Sequence, residues 1–135
     1  MKKYLLLLLC TVAIGLSSCK KETILEPSNR TILVDVFANQ WRTDDGGFTY
    51  YTNIDVPEND ASFNQIGHIV VAMSFENVNE YEGLPQVYNG LSYQFQSGIG
   101  YVRLVVSSPN SGTTINAPNF DATAKITLID ALLID

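Results

Sequence analysis

The sequence predicts an all-β fold: an antiparallel two-sheet β-sandwich of seven to eight short strands. Three observations carry that reading. From Thr31 onward the apolar pattern has a period of two, the signature of a half-buried strand. No segment shows an apolar stripe at helical spacing. Clusters of Gly, Pro, Asn and Asp break the alternation at short intervals, as turns between short strands require. A run of short strands with no helices to cover a sheet buries one sheet against another.

The first strand is expected over 31–38, closed by Trp41. After the break Asp44-Asp45-Gly46-Gly47 comes a strand from Phe48 to Val56. Phe48, Tyr50, Ile54 and Val56 face inward there, and Thr49, Asn53 and Asp55 face outward. Pro57 to Asp60 is the next break, and Asp60 is placed to cap a single helical turn within 58–65. A strand over 66–76 puts Ile69, Val71, Met73 and Phe75 on a wholly apolar phase, leaving His68 toward the outer face or a polar edge. Strands over 84–89 and 91–96 flank Asn89-Gly90, with Leu91, Tyr93 and Phe95 inward. Stretches 101–108 and 124–134 complete the set, with a short one at 113–117 as the remaining candidate. No Cys…Trp…Cys spacing is present. That removes the antibody-like subtype and leaves immunoglobulin-like folds of the fibronectin kind, and jelly rolls, open.

The first 18 residues read as a signal peptide: Lys2-Lys3, an apolar stretch from Tyr4 to Leu16, then small residues before Cys19. As a helix the stretch spans about 20 Å, short of a hydrocarbon core of about 30 Å. Leu16-Ser17-Ser18-Cys19 resembles the bacterial lipobox, whose cysteine thiol receives a diacylglyceryl group before cleavage. The resemblance implies lipidation at Cys19 and a mature protein that sits on a membrane, the bacterial outer membrane, without crossing it. Residues 19–29 are then the lipidated cysteine and a tether, and residues 30–135 the sandwich domain. Cys19-Lys20-Lys21-Glu22 loosely resembles the export signal of Bacteroidota surface lipoproteins, which has more acidic residues. A periplasmic and a cell-surface position both stay open.

Beyond Cys19 there are six Lys or Arg against fourteen Asp or Glu, a balance of −8. Such a surface argues against nucleic acid and against an electrostatic grip on anionic lipid. Cys10 leaves with the signal peptide and Cys19 is consumed by the lipid. The domain therefore has no disulfide, thiol nucleophile or cysteine zinc site.

Taken together, the layout resembles small Bacteroidota lipoproteins of unknown function. The matching residues are the lipobox, Trp41, Tyr50-Tyr51, Val56-Pro57, Leu84-Pro85 and the hydrophobic stretch Ile126 to Ile134. This resemblance implies an anchored sandwich and brings no assigned chemistry.

Candidate sites are few. His68 is the only histidine and lacks a local nucleophile or orienting acid, so a structural or exposed role is expected. Asp44, Asp45, Asp55, Glu58 and Asp60 could ring a calcium ion if their loops met, but turn chemistry alone explains Asp beside Gly. No metal or other cofactor is expected. Trp41, Tyr51, Tyr81 and Tyr88 are the candidate ligand-binding aromatics, weighed against a core role for Trp41. No catalytic motif appears, and nothing singles out a pair of carboxylates for glycoside hydrolysis. The expectation is a non-catalytic module binding an envelope protein or an extracellular glycan or protein. Its rivals are an accessory subunit of an outer-membrane complex and a small carboxylate-dependent hydrolase.

Overall fold

The structure, a computed structural model, describes residues 28–76 and 79–134. The expected signal peptide, Cys19 and the expected tether as far as Pro27 lie outside the described residues. Two antiparallel four-stranded sheets face each other. In one, β1 (Arg30–Val36), β8 (Ala122–Ile129), β3 (His68–Ser74) and β4 (Glu82–Gly83) lie side by side in that order. In the other the order is β2 (Thr49–Asp55), β7 (Tyr101–Ser107), β6 (Leu91–Gly98) and β5 (Gln86–Tyr88). The predicted sandwich is the fold observed.

Strand order separates this sandwich from the immunoglobulin kind. An immunoglobulin order sets the first strand beside the second; here they lie in opposite sheets. The first strand pairs with the last and the second with the seventh, the concentric nesting of a jelly roll. The inner strands depart from that scheme, because β3–β4 and β5–β6 pair with their sequence neighbours. The β5–β6 hairpin turns on Asn89-Gly90, both left-handed at φ 48° and 77°, which a two-residue turn matched to strand twist demands.

Alternation does the packing. Val36, Val71, Met73, Ala124, Ile126 and Leu128 of the first sheet are fully buried against Val102, Leu104 and Val106 of the second. His68 is exposed and Ile69, Val71, Met73 and Phe75 are buried, as their phases predict. The expected helical turn is also present: α1 (Ala61–Ile66) begins where the Asp60 carboxylate accepts the Phe63 N–H at 2.8 Å. At this end Asn59 ties the segment after β2 to the β6–β7 hairpin. Its side-chain amide donates to the Gly98 carbonyl at 2.7 Å, and its backbone carbonyl accepts from Gly100 N–H at 2.8 Å.

Several expectations are corrected. Phe48 is 45% exposed, because the strand starts at Thr49 and the left-handed Gly46 and Gly47 swing the chain before it. Phe95 is only half-buried. The short β5 pairs with β6 over Leu91–Tyr93 alone, so β6 is an edge beyond that point. Residues 113–117 form no strand; a bond from Ile115 N–H to the Gly47 carbonyl at 2.8 Å pins them at the end of the sandwich. The last strand stops at Ile129 and not at 134, since β1 and β3 offer no partner past Leu128 and Ile129. The two-residue β4 had no counterpart in the sequence pattern.

Candidate functional site

The outward face of the β2–β7–β6 layer gathers the most chemistry. Its register sets three rows across the strands: Tyr51, Val105 and Gln94; Asn53, Arg103 and Gln96; Asp55, Tyr101 and Gly98. Alternation alone puts these residues outside, because Val102, Leu104 and Val106 occupy the inner phase. At the centre the Arg103 guanidinium lies 4.7 Å from the Tyr51 ring centroid and 5.9 Å from that of Tyr101. Its Nε donates to Asn53 Oδ1 at 2.8 Å, fixing the fork in place. The Tyr51 hydroxyl donates to Asp44 Oδ2 at 2.7 Å, and that bond raises its pKa above the ordinary tyrosine value. The backbones of Arg42 and Tyr51 exchange two hydrogen bonds, at 2.9 and 2.8 Å, which seals part of the β2 edge. Tyr101, 38% exposed, packs against Gly98, where a Cβ would lie 2.6 Å from its ring.

Only one of the four candidate aromatics lies on this face. Tyr51 does. Trp41 is core, 6% exposed and edge-on to Tyr93 at 6.3 Å. Tyr88 stacks on Phe75 with centroids 4.2 Å apart, at the inner end of the sandwich. Tyr81 directly precedes β4 of the opposite sheet, and the Lys125 ammonium of β8 sits 3.6 Å from its ring centroid. Sequence reasoning missed Tyr101 and Arg103. Their signal was the complement of a readable pattern: in Tyr101-Val102-Arg103-Leu104-Val105-Val106, inward residues at 102, 104 and 106 force 101 and 103 outward.

The acidic loops do not meet. Asp44 and Asp45 precede β2 while Asp55 ends it and Glu58 and Asp60 follow, so a strand of about 20 Å separates the two groups. Their carboxylates are also employed locally. Asp45 accepts from the Thr43 hydroxyl and from the Thr49 N–H, both at 2.9 Å, and Asp60 caps α1. Elsewhere, Asp35, Glu76 and Asp121 border a hollow of about 290 Å³. Asp121 accepts the Ala38 N–H at 2.9 Å and Asp35 the Thr123 hydroxyl at 3.2 Å, so both already serve as structural acceptors. His68 sits at the far end of β3 from that hollow, opposite Ile129. No protein-family model, curated protein or solved structure matches the chain.

Proposed function

We propose that this chain is a lipid-anchored lipoprotein of the bacterial outer membrane whose β-sandwich is a non-catalytic module that docks a neighbouring protein. The lipobox-like Leu16 to Cys19 supports the anchor. One observation carries the docking: the interlocked Tyr51–Arg103–Tyr101 surface on a broad sheet face. Tyrosine and arginine are the residues enriched at interface cores and hot spots, whereas lysine and glutamate are depleted there. This face has no lysine or glutamate, and its two carboxylates, Asp44 and Asp55, lie at its margins. Side chains that already hold one another lose little freedom on binding. The experiment is a pull-down from envelope extract with the full chain, comparing wild type with Arg103→Glu, Tyr101→Ala and, on the opposite sheet, Lys125→Glu. A partner retained by wild type and Lys125→Glu but lost from both face variants is expected. Identical retention by all four proteins would refute it.

The rival hydrolase draws on the hollow bordered by Asp35, Glu76 and Asp121. Two of those carboxylates are engaged in holding the ends of β1 and β8, which favours a structural role. An extracellular glycan as the ligand of the sheet face is tested by the same variants on a glycan array.

A further inference from the structure

At the end of the sandwich away from Arg30, where the described chain joins the first sheet, a groove of about 660 Å³ opens. It lies between the start of β6 and the irregular segment 114–120. Its volume is that of a small-molecule site. Tyr93 lines it, is 1% exposed, and its buried hydroxyl has no hydrogen-bond partner among the described residues. Buried polar groups in folded proteins are almost always paired, and an orphan costs stability. Beside a groove, the missing partner can be supplied by a water or by a ligand that enters.

The rest of the lining says what would enter. The side chains of Thr114, Asn116 and Asn119 border the groove and make no hydrogen bond among the described residues. Amides and hydroxyls both donate and accept, which matches the dual character of sugar and polyol hydroxyls. Among the described residues no lysine, arginine or histidine lines the groove, so an anion would find no counter-charge from them. Glu76 is the one acidic residue there among the described residues, and the Tyr88 hydroxyl already faces it. A cation would therefore find one shared carboxylate. Phe120, partly buried and edge-on to Tyr88 at 5.8 Å, supplies an apolar wall for the C–H face of a ring. Burial pushes the Tyr93 hydroxyl up to about 12, so it keeps its proton, and its capacity to donate, at neutral pH.

We propose that this end groove binds a neutral polyhydroxylated small molecule, a sugar ring or a comparable polyol, with the Tyr93 hydroxyl reading one of its hydroxyls. The site is independent of the docking face, which Arg103→Glu tests separately. The experiment titrates the full chain, in detergent, with D-glucose, D-galactose, D-mannose and N-acetylglucosamine. Inorganic phosphate and methylammonium are the charged controls, and calorimetry the readout. At least one sugar should bind saturably, with affinity reduced roughly tenfold by Tyr93→Phe and by Asn116→Ala. The melting midpoint of Tyr93→Phe should meanwhile equal or exceed that of wild type, because the deleted hydroxyl had no partner to lose. Failure of every sugar to saturate would overturn the proposal, as would unchanged affinity in both variants. A clear fall in the Tyr93→Phe midpoint would show that the hydroxyl serves the fold. Saturable binding of phosphate or methylammonium alone would refute a neutral ligand.

Discussion

Asp45 shows how a carboxylate that could have been a metal ligand becomes part of a turn. Its strongest partner is the Thr49 N–H, seconded by the Thr43 hydroxyl, and together they hold its pKa below the ordinary value of 3.8 despite an opposing effect of desolvation. A folded pKa below the unfolded one contributes stability above about pH 3.8, and that contribution is lost as pH falls through the lower folded value. Asp45→Asn should therefore lower the denaturant midpoint at neutral pH and remove part of its decline in acid; midpoints measured from pH 7 to pH 2 decide it. The same engagement, and the length of β2 between the two loops, leaves no ring of oxygens for calcium. Replacing chelator with millimolar calcium should leave the melting midpoint within error, where a specific site at a hundredfold excess over Kd would add about 2.7 kcal/mol.

Strands owe their positions to alternation, but the depth of each side chain depends on which strand lies beside it. β7 is flanked on both sides, by β2 and β6, and its Leu104 is fully buried. Phe95 has the correct phase on β6, yet it lies past the reach of the three-residue β5 and stays half-buried. Leu104→Ala should then cost about 2–5 kcal/mol, and Phe95→Ala less than its size alone suggests. Urea midpoints of the two variants rank them, and a larger loss at Phe95 would mean that the β6 edge is covered. The six-residue α1 is too short to stand alone. The Asp60 cap and Phe63, which is buried in the core, hold it in place.

At the scale of the molecule, β8 joins residues far apart in sequence: it is hydrogen-bonded to β1 on one side and β3 on the other. Truncation before Ala122 should leave the first sheet without its centre and abolish cooperative unfolding. Truncation after Asp130 should be tolerated, because Leu132, Leu133 and Ile134 are exposed and belong to no strand. Circular dichroism melts of both truncations test the pair. Pairing of first strand with last also makes contacts distant in sequence, which predicts folding in milliseconds to seconds. If the anchor is as proposed, Cys19→Ala should abolish incorporation of radiolabelled fatty acid, since only that thiol can take the lipid. Equal labelling of the variant would end the lipoprotein reading.

Period-two alternation is written into neighbouring residues, so the strands, their inward phases at 69–75 and the Asp60 cap were legible in the sequence. So was the absence of cysteine from the domain, because composition needs no fold to be read. The strand ends at Thr49 and Ile129, the half-burial of Phe95 and the loss of a strand at 113–117 depend on where partners run out. That is a property of two strands and not of one. Tertiary structure likewise decided the two candidate surfaces. Tyr51 meets Arg103 only because β2 pairs with β7 in this register, and Tyr93 borders the end groove only because the chain returns over it at 114–120. Local residue order fixes which face a side chain takes; pairing at long range fixes which other side chains it meets there.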